Sequence, residues 1–383
     1  MKKEIIVLGD IEMGSGTFTD DFISDNLLSQ MILELKDREH PLDLVLNGDT
    51  FDFLKCPVIV NGTNTYPRHI TEKISLLKLK QVYQAHQLVF TALKNFLEKK
   101  DKHLYFVLGN HDPDLVYKKV QRELKKILNN NTQVHFPGFK YKHNQVYVEH
   151  GQQYDFLNKV SAKHPFLTYN GEKVLNIPWV SFSLISNFMQ TKEVHPFMER
   201  IFPRPKLFAH HGKMFKKITY QSLFYLLKSL AYYPFKYRYD PTYTYPKELL
   251  REFYRRLKKI HWDVDQIIDK FKRKKRKSKH KIYVLGHVHE KYLEEKKGKV
   301  FIHPGSWRDE YDLDDNKKLV PRTKRYVKII IEDDDSLSYR LVSMPNERNP
   351  LDFDLVRMDE HSHIRLAAEM EGYNYSVFRS AFD

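Results

Sequence analysis

Leu104-Tyr105-Phe106-Val107-Leu108-Gly109-Asn110-His111-Asp112 is the stretch whose reading decides the fold. Five apolar residues, aromatic and β-branched among them, form a short run that reads as a buried strand. The run stops at a glycine, and three residues able to bind a metal or move a proton follow at once. Four other runs behave alike. Ile5-Ile6-Val7-Leu8 leads into Gly9-Asp10, Leu44-Val45-Leu46 into Gly48-Asp49, Val146-Tyr147-Val148 into His150-Gly151, and Ile282-Tyr283-Val284-Leu285 into Gly286-His287-Val288-His289. Ligands of open α/β sheets collect beyond the carboxyl ends of the strands. One strand ending in Asp or His is commonplace; five in a single chain point to one shared site.

Helical patterns lie between these runs. One is expected over Asp20–Leu35 and a longer one over Thr71–Lys99, with Thr71 placed to cap it. Strand and helix in alternation imply parallel pairing with helices on a face. Phe139–Tyr141 and Val146–Val148 read as a hairpin, and strands resume at Val300–Ile302, Tyr326–Ile331 and Leu337–Val342. The expected fold class is therefore α/β: a two-layer β-sandwich flanked by helices, built from residues 1–155 and 281–349. Between them, residues 156–280 are rich in Tyr, Phe, Pro and Lys, with helical periodicity in Lys247–Ile260 and Trp262–Phe271. They read as a mainly helical insertion. Residues 350–383 form a C-terminal tail, with one helix expected near His361–Met370.

The 383 residues carry a net charge of +15, and the excess is local. From Thr191 to His280 there are 24 Lys and Arg against 8 Asp and Glu, leaving 40 against 41 in the rest of the chain. The insertion closes on Lys272-Arg273-Lys274-Lys275-Arg276-Lys277-Ser278-Lys279, a run expected to be a solvated, mobile connector. The single cysteine, Cys56, excludes an intrachain disulfide and suits a reducing, cytoplasmic setting. The N-terminus enters a strand directly, which argues against a signal peptide. The apolar stretches Ile177–Met189 and Ser222–Tyr233 fall short of the roughly 20 residues that span a bilayer. The chain is expected to be soluble, or peripheral on the inner face of a membrane.

Asp, His and Asn at five strand ends are the donors a two-ion phosphoryl-transfer site needs. In spacing and order the motifs resemble the calcineurin-like metallophosphoesterases. The correspondence runs through Asp10-Ile11-Glu12, Gly48-Asp49-Thr50-Phe51-Asp52, Gly109-Asn110-His111-Asp112, His150-Gly151 and Gly286-His287-Val288-His289, with His303-Pro304-Gly305-Ser306 similar to a turn that often follows. The resemblance implies two divalent ions. Asp49 would bridge them, Asp10 and His289 would hold one, and Asn110, His150 and His287 the other. His111 would act as the general acid with Asp112 orienting it, and Asp52 would support the ligands from behind. The motif has His where this chain has Glu12, which either binds the first ion or only lines the site. A third carboxylate would make the donors harder and place Mn²⁺ ahead of Mg²⁺, Fe²⁺ or Zn²⁺.

The wording around Asp49 and His150 is most similar to the UDP-2,3-diacylglucosamine pyrophosphohydrolases. That likeness implies a phosphodiester or pyrophosphate substrate, small, nucleotide-linked or lipid-linked, held under the insertion. A metal-dependent nuclease and a non-catalytic interaction module on the same fold are the alternatives, since a basic surface also suits nucleic acid. The basic, aromatic residues 191–280 also suit an anionic membrane surface. His210-His211-Gly212 reads as structural or as a substrate contact, and His40, His69, His103 and His164 as ordinary residues.

Overall fold

The structure, a computed structural model, describes residues 2–60, 63–243, 264–345, 348–373 and 375. All five apolar runs form strands, divided between two sheets. In the first sheet β1 (Lys3–Leu8), β2 (Leu42–Asn47), β3 (Lys102–Val107) and β4 (Val134–Gly138) lie side by side and parallel. The second comprises β5 (Tyr141–His143), β6 (Val146–Glu149), β7 (Ile282–Leu285), β8 (Tyr292–Lys296) and β9 (Lys299–His303), in the order β8-β9-β7-β6-β5. β6 and β7 are parallel neighbours, with Glu149 paired to Leu285, although 132 residues, most of them the insertion, lie between the two strands in sequence. β10 (Arg325–Ile331) and β11 (Leu337–Ser343) return antiparallel to the first sheet, β10 on β1.

Period-two alternation explains the layering. Ile5 and Val7 of β1 point between the sheets, where they meet Val45, Val146, Val148, Ile282 and Val284. Ile6 and Leu8 point the other way, with Leu44, Leu46, Leu104 and Phe106, toward helices α1 (Asp25–Lys36), α2 (Glu72–Ala85), α3 (Gln87–Phe96) and α4 (Lys118–Ile127). The first sheet is apolar on both faces, as parallel strands covered on both sides must be. Each fully buried side chain of this kind contributes about 1.5–3 kcal/mol. The two-layer sandwich with flanking helices is thus present as expected.

Two helix boundaries differ from the expectation. Residues 20–24 precede α1 because the Asp20 carboxylate accepts the N–H groups of Gly14, Gly16 and Phe22 at 3.0–3.1 Å, an alternative to helical bonding. The long helix over Thr71–Lys99 is two helices broken at His86. The fully buried imidazole there bridges Asp25 (3.0 Å) and Asp20 (3.0 Å). Thr71 does cap α2, accepting from the Ile74 N–H at 3.4 Å.

Within residues 156–280 the described elements are mainly helical: α5 (Met189–Val194), α6 (Arg204–His210), α7 (Gly212–Ala231) and α8 (Val264–Lys275), preceded by a hairpin of Phe166–Tyr169 and Glu172–Leu175. The helix expected over Lys247–Ile260, and Trp262, lie outside the described residues. The basic run is not wholly a loose connector. Lys272–Lys275 form the last turn of α8, whose Phe271 is buried against Tyr147, Tyr154 and Tyr283. Lys275 reaches Glu149 at 2.9 Å. Apolar Ile268 and Phe271 and cationic Lys275 lie at helical spacing on one face, and that face packs on the second sheet. Ile201–Phe202 pairs with Tyr311–Leu313, which continues through Lys318–Pro321 to Leu351–Asp352 of the tail. The tail forms Phe353–Met358 and α9 (Glu360–Met370), and their apolar faces share a core with α6 and α7.

Candidate metal centre

The turns after β1, β2, β3, β6 and β7 deliver Asp10, Asp49, Asn110 with His111, His150, and His287 with His289 to one edge of the sandwich. These turns are tight. A Cβ on Gly109 would sit 2.0 Å from Asp49 Oδ1, so only glycine lets β3 end there. Four non-glycine residues of the site, Glu12, Asp49, His287 and His289, have φ between +47° and +76°. Each such backbone costs about 1–3 kcal/mol, an expense typical of functional sites.

Asp49 lies at the centre. Its Oδ1 accepts the His111 N–H at 2.7 Å and its Oδ2 is 3.0 Å from His150 Nε2. His150 donates Nδ1–H to the Asn47 carbonyl at 2.8 Å, which turns Nε2 toward Asp49, Asn110 Oδ1 (3.3 Å) and Asp10 Oδ1 (3.8 Å). A carbonyl fixing the remote nitrogen is the usual way a ligand imidazole is oriented. His287 is anchored by Asp155 at 3.1 Å, and one donor atom each from Asp49, His150 and His287 lie within 4.8 Å of one another. These residues fit a divalent ion.

On the other side His289 Nε2 faces Asp10 Oδ1 (3.5 Å) and Glu12 Oε1 (3.7 Å), and its Nδ1 is tied to Glu310 at 2.8 Å. Asp10 and His289 therefore converge as expected. Glu12 has other partners. Its Oε1 accepts from Arg308 at 3.1 Å and its Oε2 from Lys55 at 3.0 Å, and all three residues are buried. Lys55 also touches Asp21 (2.8 Å) and Asp52 (2.8 Å), while Lys192 and Arg308 close on Asp21. Burial alone would raise the Glu12 pKa, but the Arg308 and Lys55 charges outweigh it and hold the carboxyl well below its usual range. Burial would likewise neutralise Lys55, yet Asp21, Asp52 and Glu12 keep its pKa well above the ordinary value. Glu12 is thus held as an ion pair with Lys55 and Arg308, which it shares with Asp21 and Asp52.

His111 is part-exposed, with 17% of its side chain accessible. The carboxylate that orients it is Asp52, 2.8 Å from Nδ1, rather than Asp112. Asp112 is fully buried and accepts the N–H groups of Gly109 (2.7 Å) and Thr50 (2.9 Å), clamping the β3 turn to the β2 turn. Burial would lower the His111 pKa, but Glu12, Asp52 and Asp49 raise it to about 10.

Lys55, Arg308, Asp21, Lys192, Glu310 and Asp155 are the members of this site that motif reading passes over. The one signal was Glu12 itself: a buried carboxylate in an imidazole's place needs a countercharge, though nothing local says which cation supplies it.

The model of the calcineurin-like phosphoesterase family matches residues 4–314, so the chain belongs to that family and is a metal-dependent phosphoesterase. No protein of curated function matches it. Among solved structures, a putative 5'-nucleotidase from Staphylococcus aureus in complex with alpha-ketoglutarate overlaps 96% of this chain and 58% of its own, at 15% identity and a TM-score of 0.30. Wild-type Vps29 complexed with zinc from Entamoeba histolytica overlaps 21% of this chain and 47% of its own, at 22% identity and a TM-score of 0.14. Neither overlap bears on substrate.

Proposed function

We propose that the chain hydrolyses a phosphodiester or pyrophosphate bond with the aid of two divalent ions. Asp10, Asp49 and His289 would hold one ion, and Asp49, Asn110, His150 and His287 the other. The observation that carries this reading is the convergence of Asp49, His150 and His287 beside a part-exposed His111. Bound ions of this kind polarise a phosphoryl oxygen and lower the pKa of water. The chain's own part is to place the donors, through strained turns that cannot relax, and to keep a proton on His111. Asp52 fixes Nδ1, which leaves Nε2–H as the group available to the leaving oxygen. The carboxylates of Glu12, Asp52 and Asp49 around it favour the charged imidazole, the form that donates a proton.

The described part of the insertion carries a surface that favours a membrane-borne substrate. Helix α7 and the turn after it expose Phe215, Tyr220, Leu223, Phe224, Leu227, Phe235 and Tyr239, with Lys213, Lys216, Lys217 and Lys228 exposed among them. Aromatic and basic residues interleaved on one helix suit an anionic lipid surface. Among the described residues no helix is long and apolar enough to cross a membrane. A phosphate-bearing lipid or glycolipid is thus the favoured substrate class, ahead of a nucleotide or nucleic acid.

The test is hydrolysis of a diester, a nucleotide pyrophosphate and single-stranded DNA before and after chelation. Activity should vanish on chelation, return with added Mn²⁺, Mg²⁺, Fe²⁺ or Zn²⁺, and be nearly absent in Asp49→Asn. Full turnover by the chelated enzyme would end the two-ion reading.

A further inference from the structure

Far along the chain from the strand-end motifs, His195, His211 and Glu360 meet. His195 follows α5, His211 follows α6, and Glu360 is the first residue of α9, so the insertion supplies two members and the tail the third. His195 Nδ1 is 2.8 Å and His211 Nε2 is 3.8 Å from the same oxygen, Glu360 Oε1. The other oxygen, Oε2, accepts the Phe197 N–H at 2.9 Å, which fixes the carboxylate and aims Oε1 at the two rings. The imidazoles stand nearly perpendicular, at 83° with centroids 5.2 Å apart, and the three donor atoms all lie within 4.8 Å of one another.

We propose that these three residues form a second metal site, taking Zn²⁺ or a similar borderline dication, which pins the insertion to the C-terminal tail. Zinc held tetrahedrally at about 2.0–2.2 Å from N and O ligands puts those ligands roughly 3.4 Å apart. The two measured separations straddle that value, so an ion is accommodated by small rotations of the rings. Two His and one carboxylate are a common zinc donor set that leaves a fourth position for water. The side chains of His195 and His211 keep 23% and 14% accessibility, which gives that water and the entering ion a route. Arg357, which lines the adjoining cavity, is turned to Asp354 and the His210 carbonyl rather than into the cluster. Phe197, Met198, Leu207, Phe353 and Val356 pack beneath it, an apolar floor that suits a fastening better than a second reaction centre. His211, ambiguous in the sequence, and the C-terminal helix, uninformative there, thus acquire a joint role that does not depend on the reaction proposed above.

The experiment counts zinc in the full chain. In an Asp49→Asn/His150→Gln background, which cripples the strand-end centre, the desalted protein should retain one equivalent, and cobalt in its place should show the visible bands of a tetrahedral site. Adding His211→Ala or Glu360→Gln should weaken zinc binding by more than about tenfold, the loss already seen when only the groups behind a metal's ligands are changed. Zinc should also raise the melting temperature of the parent and not of these variants. Glu360→Gln keeps the side chain's shape and its bond to Phe197, so it decides the matter should His211→Ala fail to fold. Zinc binding and zinc-induced stabilisation unchanged in Glu360→Gln and in His195→Ala would overturn the proposal, as would a crippled-centre protein that retains no zinc.

Discussion

Glu12→His would restore the imidazole of the family motif, and a reading of motif alone expects it to strengthen the first ion. The structure predicts a cost to the folded state. Glu12 is fully buried between Lys55 at 3.0 Å and Arg308 at 3.1 Å. At an effective dielectric of about 20, each contact is worth roughly 5 kcal/mol of Coulomb energy before desolvation. Removing one partner of a buried ion pair typically costs about 3–5 kcal/mol, because the surviving charge stays in the interior. Lys55 retains Asp21 and Asp52, and Arg308 retains Asp21 and Glu310, so the lower end, about 3 kcal/mol, is expected. That is a large share of the 5–15 kcal/mol that holds most domains. Urea unfolding of metal-free Glu12→His should show a clearly lowered midpoint, and adding Lys55→Met should recover part of the loss, since a buried pair is often replaceable by apolar groups. An unchanged midpoint together with tighter binding of the first ion would refute the reasoning and make Glu12 a plain ligand.

Other expectations are briefer. His111→Ala should keep its metal content and lose about 10²–10⁴-fold in turnover, with a smaller loss on nitrophenyl esters, whose leaving group needs no proton; equal losses on good and poor leaving groups would remove His111 from the acid role. Gly109→Ala should abolish metal binding, read by elemental analysis, because the new Cβ strikes Asp49 Oδ1. His86 is raised to about 10, burial being outweighed by Asp25 and Asp20, so its contribution is complete below the unfolded pKa of about 6.5 and lost as pH climbs toward 10. Stability of the metal-free protein should accordingly fall between pH 6.5 and 10, and His86→Gln should flatten that slope. Co-sedimentation with anionic vesicles should be salt-sensitive and weakened by Tyr220→Ser/Phe224→Ser; salt-dependent binding to DNA with no binding to vesicles would instead favour a nuclease.

The sandwich was legible because its strands are apolar on both faces and each ends at a glycine or a ligand, signals carried within ten residues. Helix boundaries were less legible for a reason visible at Asp20 and His86. Both residues sit in otherwise helical stretches; Asp20 takes the N–H groups of its own loop, and His86 reaches back 66 positions to it. The basic run failed similarly: Lys272–Lys275 look like solvated charge until Phe271 and Lys275 are seen against Tyr147 and Glu149 of β6.

The candidate centre divides along the same line. Asp10, Asp49, Asn110, His150, His287 and His289 stand at strand ends, where topology alone brings them together. Lys55, Arg308, Asp21 and Lys192 answer to a different demand, the countercharge for a buried carboxylate. Lys55 and Arg308 engage both oxygens of Glu12 and offset part of the charge it presents to an incoming ion. Asp10 and Asp49 face the imidazoles of His150 and His289 instead. The departure at Glu12 therefore belongs to a set of buried charges drawn from positions 12, 21, 55, 192 and 308, in which changing one member leaves the others with fewer countercharges in the interior.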